Sequence, residues 1–300
     1  MELIELFYIV DEFCKSYETK WRRYLIKSGV QVKHKSSRLS MSEILTIMIY
    51  FHLSGYRTFK WYYEKAILGN PYLKSCFPNA VSYNQFLRLS AQHLLPIVHC
   101  LAFLMSLSTK TGLYFIDSTS IVVCSNLRIN SHKVFAETAA RGKTSEGWFF
   151  GFKLHIVIND RGQLMAAKIT TGNVADCSQD VVESLTKNLT GRLFGDRGYI
   201  SSSLFKKLWA KGLKLVTGIK KNMKNKLVDL ADKILLRRRF IIETVNDHLK
   251  NSEQIEHSRH RSPAGFLVNL ITGLIAYQVQ PKKPSLNLRR DLELVCGGGM

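Results

Sequence analysis

Leu113-Tyr-Phe-Ile-Asp-Ser-Thr119 and Arg192-Leu-Phe-Gly-Asp-Arg-Gly-Tyr199 share one pattern, a short β-prone apolar run that ends on an aspartate. An acid straight after an apolar strand is held at a sheet edge, where ligands collect in open α/β sheets. Working outward, Leu113–Ile116 and Ile121–Cys124 read as strands. Phe152–Ile158 and Leu164–Thr170 flank the hairpin turn Asn159-Asp-Arg-Gly162. Asp176–Leu189 is helix-like, Ser201–Lys211 a helix and Leu213–Ile219 a strand. Leu227–Lys250 and Pro263–Val279 are helical, the latter with Pro at its start. Antiparallel strands, a helix, then alternating strand and helix predict an α/β fold with a mixed sheet flanked by helices.

The first hundred or so residues predict an all-helical domain. Ser40-Met-Ser-Glu43 has the spacing of a capping box before the apolar run Ile44–Leu53. Ser82-Tyr-Asn-Gln85 repeats it before a segment that runs to Leu107, with a break expected at Pro96. Three parts result: 1–108 helical, 109–280 α/β, and 281–300 a basic, flexible tail. Arg22, Arg23, Lys33, Lys35, Arg38, Arg57 and Lys60 decorate the helical part. Two readings stay open for it, a helix-turn-helix-type DNA reader and a helical packing module.

Composition narrows the function. The chain has 300 residues, 46% hydrophobic and 22% charged, which excludes a mostly disordered protein. Its net charge of +20 favours a polyanionic partner, above all nucleic acid. The longest apolar stretches fall short of the ~20 residues a membrane span needs, and the acidic N-terminus does not read as a signal peptide. The six cysteines are scattered with no C-x-x-C pair, so neither a zinc knuckle nor a disulfide framework is expected, and a reducing compartment is the default. Neither a phosphate-binding Gly-x4-Gly-Lys loop nor a Gly-x-Gly-x-x-Gly turn occurs.

A third acid, Glu243, lies in Arg237-Arg-Arg-Phe-Ile-Ile-Glu-Thr-Val-Asn-Asp-His-Leu-Lys250. Three converging carboxylates repel one another unless cations neutralise them. Oxygen-only ligation suits Mg²⁺ or Mn²⁺, and two such ions could serve phosphodiester chemistry. On a continuous helix at ~100° per residue, Leu236, Arg239 and Lys250 fall within ~40° of Glu243. One face then presents an acid between two cations that reach phosphates; an ordinary i,i+4 ion pair between Arg239 and Glu243 is the plainer reading. Lys220 and Lys221, with Lys224 and Lys226, form a basic run before this helix and read as a DNA backbone track. Arg197, next to Asp196, either touches a phosphate or makes a sheet-edge ion pair. His155, alternating with apolar neighbours on a strand, reads as structural.

These motifs resemble those of DDE-type transposases of bacterial insertion sequences, most closely the insertion sequence 982 family. The resemblance rests on Phe115-Ile-Asp117, on Gly195-Asp-Arg-Gly-Tyr199 and on Arg239-x3-Glu243-x6-Lys250. The last matches the signature Tyr-x2-Arg-x3-Glu-x6-Lys except that Leu236 replaces Tyr. Gly151-Phe-Lys-Leu-His155 and Thr171-Gly-Asn-Val-Ala-Asp176 also resemble segments of these proteins, over about 112–279 in all. The resemblance implies an RNase H-like catalytic domain with Asp117, Asp196 and Glu243 as ligands of two Mg²⁺ or Mn²⁺ ions. It implies nicking at transposon ends by water, then strand transfer by the freed 3′-hydroxyl. It implies double-stranded DNA as partner (terminal inverted repeats and target), a homodimer in the active complex, and a cytoplasmic, nucleoid-associated protein with no membrane partner. A catalytically silent DNA-binding regulator and a structure-selective nuclease on the same fold are the alternatives.

Overall fold

The computed structural model describes residues 1–28, 37–144, 147–218, 229–256, 260–286 and 288. In chain order, α1 (Leu3–Lys27), α2 (Met41–Leu53), α3 (Phe59–Trp61) with a π-helical continuation (Tyr62–Ile67), α4 (Pro71–Cys76), α5 (Tyr83–Gln92) and α6 (Leu94–Ser106) come first. Then follow β1 (Leu113–Cys124), β2 (Ala140–Thr144), β3 (Gly147–Asn159), β4 (Leu164–Thr171), α7 (Gln179–Leu185), β5 (Gly191–Gly195), α8 (Ser202–Ala210) and β6 (Leu213–Thr217). The last helices are α9 (Leu230–Arg237), α10 (Phe240–Asn251) and α11 (Pro263–Val279). No single described helix is long and apolar enough to cross a membrane.

The chain forms two compact units. The helical one joins Met1–Leu104 to Leu249–Pro281. Its central helix α2 starts at the capping box read from sequence: the Glu43 amide donates to Ser40 Oγ at 3.1 Å and the Ser40 amide to Glu43 Oε2 at 2.7 Å. Most of α2 and α11 is buried, as expected of helices apolar on nearly every side. Hence Leu249–Pro281 groups with the N-terminal helices. His52, on α2, crosses to this segment through the Glu253 carbonyl (Nδ1, 2.6 Å) and Thr272 Oγ1 (Nε2, 3.0 Å). Ser82 makes no side-chain cap, and the break between α5 and α6 falls at His93 rather than at Pro96. Proline in the first turn of α6 needs no amide partner, so it is tolerated there.

The second unit (Met105–His248 with Lys282–Met300) holds the sheet, in the order β2-β3-β1-β5-β6, with β4 also on β3. Strand β1 is antiparallel to β3 and parallel to β5, and β5 is parallel to β6. The mixed sheet flanked by helices is the predicted fold. Two local expectations are corrected. Strand β1 is one long strand, because its pairing with β3 continues through the polar residues Ser118–Ser120. The region read as one helix over 227–250 is α9 and α10, separated at Arg238–Arg239. The inward positions are Asp232 and Leu235 on α9 and Ile241, Ile242, Val245 and Leu249 on α10. Buried Asp232 holds α9 to β5 and β6 through Arg192 (3.0 Å) and Lys214 (2.6 Å).

Beneath one face of the sheet, Tyr114 and Ile116 of β1, Leu193 of β5, Val182 of α7 and Leu204 and Leu208 of α8 form the core. Phe115 and Phe194 stack on the opposite face, ring centroids 5.3 Å apart. Burial of these side chains, each about 1.5–3 kcal/mol, fixes the register of β1 against β5 and with it the strand ends.

Candidate active site

The parallel ladder between β1 and β5 ends at Phe115↔Phe194. Two residues further along each chain stand Asp117 and Asp196. Neighbouring strands lie about 4.8 Å apart, so the register sets Asp117 next to Asp196; Asp196 follows the end of β5 as expected, whereas Asp117 lies within β1, which continues to Cys124, rather than at its end. Asp117 is half-buried and Asp196 exposed. Asp196 caps the short 3-10 turn Arg197–Tyr199, its Oδ1 accepting from the Gly198 amide at 2.8 Å.

Glu243 comes from the first turn of α10. Burial pushes the Asp117 carboxyl up to about 6; the Arg239 guanidinium and the Ser118 amide oppose the rise, and the charges of Asp196 and Glu243 add to it. Asp196 and Glu243 therefore each lie within electrostatic reach of Asp117. Each is also turned to a donor of its own: Asp117 Oδ2 to Asn246 Nδ2 at 3.1 Å, Asp196 to Gly198, and Glu243 to Arg239. Among the described residues, no three His, Cys, Asp or Glu side chains stand together as a group that could hold a metal ion. The donors near Asp117 are nevertheless carboxylate oxygens, the chemistry a hard divalent cation takes. The raised Asp117 carboxyl reflects its burial, which the nearby Arg239 charge offsets only in part. The residues fit such a cation by type, with Glu243 closed onto Arg239.

The other expected positions fall as follows. Arg239 sits at the start of α10, largely buried, and pairs with Glu243 in the i,i+4 manner. The break at Arg238 removes Leu236 from the helix that carries Glu243. Arg197 is exposed and lies against the Gly218 backbone after β6. Lys250, two turns along α10 from Glu243, belongs to the helical unit and pairs with Glu256 at 3.1 Å. Lys220 and Lys221 lie outside the described residues. His155 is fully buried against Thr170 Oγ1 at 2.8 Å, and burial pulls its imidazole down to about 4.

Five neighbours, Asn246, Ser118, Lys153, Asp176 and Tyr199, were given no individual role from sequence. Asn246 holds Asp117 from one turn beyond Glu243, and the i,i+3 spacing was the available signal. Asp176, after β4, accepts from Ser118 Oγ (2.6 Å) and from the buried Lys153 ammonium (2.9 Å). The Tyr199 hydroxyl is buried and has no hydrogen-bond partner among the described residues. Its ionisation is pushed well up, by burial first and then by the charges of Asp117, Asp176 and Asp196, so the phenol stays protonated beside the acids.

Comparison with known proteins places this arrangement. The family model described as a transposase DDE domain matches residues 107–263, more than half of the chain. Among solved structures, the chain is similar to piggyBac transposase in its synaptic complex with hairpin DNA, with a TM-score of 0.50 and 11% identity over 92% of this chain and 74% of that one. That likeness is one of fold. No curated protein matches the chain. The mixed sheet with Asp117 on β1, Asp196 just after β5 and the helical Glu243 near Asp117 lies within the matched region, and the chain belongs to the DDE transposase domain family.

Proposed function

We propose that this protein is a DNA transposase of the insertion sequence 982 kind, which nicks DNA at transposon ends and joins the freed 3′-hydroxyl to target DNA. The register that sets Asp117 beside Asp196, with Glu243 in the same field, carries this reading. Asp117, Asp196 and Glu243 would hold two Mg²⁺ or Mn²⁺ ions, which when bound activate the attacking water or hydroxyl and stabilise the leaving oxygen. Arg239 supports a role at the phosphate: released from Glu243, its planar fork suits a phosphodiester oxygen pair. Arg197 at the sheet edge, Lys250, and the run containing Lys220 and Lys221 would line the DNA backbone. Asn246 and the Lys153–Asp176 pair would keep Asp117 and its strand in place. The helical unit would recognise terminal inverted repeats, and pairing of two ends calls for a homodimer in a bacterial, nucleoid-associated setting.

The test uses purified full-length protein, Mg²⁺ and a labelled duplex from the end of the element that encodes it. Nicking at the end, lost in Asp117→Asn and Glu243→Gln, is expected; cleavage unchanged in both overturns the assignment. A silent DNA-binding regulator is the second reading, favoured by Leu236 and by the closure of Glu243 on Arg239. Retardation of end DNA with no nicking in Mg²⁺ or Mn²⁺ would select it.

A further inference from the structure

Helix α5 is firmly held on one side and chemically open on the other. Phe86 and Ser90 face the core, and the Phe86 ring lies 4.7 Å from Tyr63 and 5.7 Å from Phe59. The opposite side carries Asn84, Gln85, Arg88 and Gln92, all exposed. Positions 84, 88 and 92 follow one another at i,i+4, and 85 sits beside 88, so the four share a face. They line, with Ser82 and Leu89, an open hollow of about 470 Å³.

None of the four side chains makes a hydrogen bond or ion pair with another described residue. Some exposed cations elsewhere pair with acids, Lys15 with Asp11, Lys60 with Glu64 and Lys207 with Glu183, whereas Arg88 does not. No acid occurs in Tyr83–Gln92. The row is made of three primary amides and one guanidinium, the groups that pair in bidentate fashion with base edges: Arg with the O6 and N7 of guanine, Asn and Gln with the N6 and N7 of adenine. Ten helical residues span about 15 Å, and the major groove, about 12 Å wide, admits one helix. The setting is basic. Arg57 and Lys65 are exposed in the same unit, and Tyr83 at the start of α5 feels the Arg261 guanidinium first and the Glu64 carboxylate, itself paired with Lys60, after it.

We propose that α5 is a base-reading helix that enters the major groove of duplex DNA, with Arg88 reading a guanine and Asn84, Gln85 and Gln92 reading adenines. This rests on the reading of the protein as a DNA transposase and assigns its sequence recognition to one helix face. The firm backing by Phe86 supplies the rigidity that base readout needs, and the open face supplies the donors and acceptors.

The experiment is selection by the full-length protein, in EDTA so that no strand is cut, from a pool of duplexes with a randomised central segment. The wild type is expected to enrich one motif. Arg88→Ala and Arg88→Lys should each lose discrimination at one guanine by about 10- to 100-fold, since lysine keeps the charge without the fork. The Asn84→Ala, Gln85→Ala, Gln92→Ala triple variant should lose adenine positions. Affinity for the unselected pool should stay within about threefold, and thermal melting should be unchanged, since all four side chains are exposed. Recovery of the wild-type motif by both the Arg88 variants and the triple variant overturns the proposal while leaving the transposase reading intact. Failure of the wild type to bind any duplex overturns both.

Discussion

The side-chain amide of Asn246 donates to Oδ2 of Asp117 at 3.1 Å, tying the helix of Glu243 to the strand of the first aspartate. Asn246 is buried, and its own Oδ1 has no partner among the described residues. Asn246→Ala removes the donor and leaves a half-buried carboxylate less satisfied, at a cost of about 1–3 kcal/mol. Asn246→Asp should cost more, because a second carboxylate then faces Asp117. Urea unfolding of both variants at neutral pH without divalent ions gives the order; an alanine variant as stable as the wild type would show the bond to be idle.

Arg239 opposes the rise of the Asp117 carboxyl more than any other group does. Its ion pair with the exposed Glu243 is worth less than about 1 kcal/mol. Arg239→Ala should therefore cost little through the Glu243 pair, but should move the Asp117 titration above about 6 and lose stability at neutral pH in step with that rise. Carbon-detected NMR titration of the aspartate carboxyls checks this; an unchanged Asp117 midpoint would remove Arg239 from the site.

Asp117 and Asp196 were legible as neighbours because a β-prone run followed by an acid is a local pattern, and apolar burial of Phe115 and Phe194 turns local patterns into register; that β1 continues beyond Asp117 to Cys124 was not, because Ser118–Ser120 are polar. The α9–α10 break was not legible. The chain from 227 to 250 has helical character throughout, with no Gly or Pro to mark the break at Arg238–Arg239. Strand β2 was hidden because Ala140-Arg-Gly-Lys-Thr144 is polar and borrows its strand form from β3. The Tyr199 hydroxyl was hidden because its neighbours Asp117 and Asp176 are far away in sequence and meet it only through the fold.

Glu253 and His52 set an opposed pair of pH effects in the helical unit. Burial raises the Glu253 carboxyl to about 7 and lowers the His52 imidazole to about 4. Between about pH 4.5 and 7 the folded state binds more protons at Glu253 than the unfolded chain, so this group removes stability as pH rises. Between about pH 4 and 6.5 the unfolded chain binds more at His52, so that group adds stability as pH rises. The slopes oppose each other over most of this range. Glu253→Gln should uncover the His52 slope, with stability rising from pH 4.5 to 6.5, and should gain on the order of 2 kcal/mol over the wild type at pH 8. Chemical denaturation across pH measures it; parallel curves for the two proteins would contradict the assignment.

Gly151 on β3 lies so close to β1 that an added Cβ would stand 2.1 Å from the Ile121 carbonyl oxygen. The clash is with backbone, which side-chain motion cannot relieve. Gly151→Ala should force β3 away from β1, disturb the strand that carries Asp117, and cost several kcal/mol. Near-UV circular dichroism and thermal melting read the outcome, and a native spectrum with an unchanged melting point would mean that the strands can part without loss.

Divalent cations should stabilise the sheet unit through the same three acids. Binding to the folded state alone adds about 2.7 kcal/mol at a hundredfold excess over the dissociation constant. The cation must displace the proton that Asp117 holds below about pH 6, so the shift in melting temperature caused by Mn²⁺ should be larger at pH 7.5 than at pH 5. Asp117→Asn should abolish most of the shift at both values, because the amide offers one neutral oxygen where the carboxylate offers charge. Arg239→Ala, by freeing Glu243, should preserve the shift. A melting response to Mn²⁺ that is equal in wild type and Asp117→Asn would place the cation elsewhere and separate these carboxylates from metal binding.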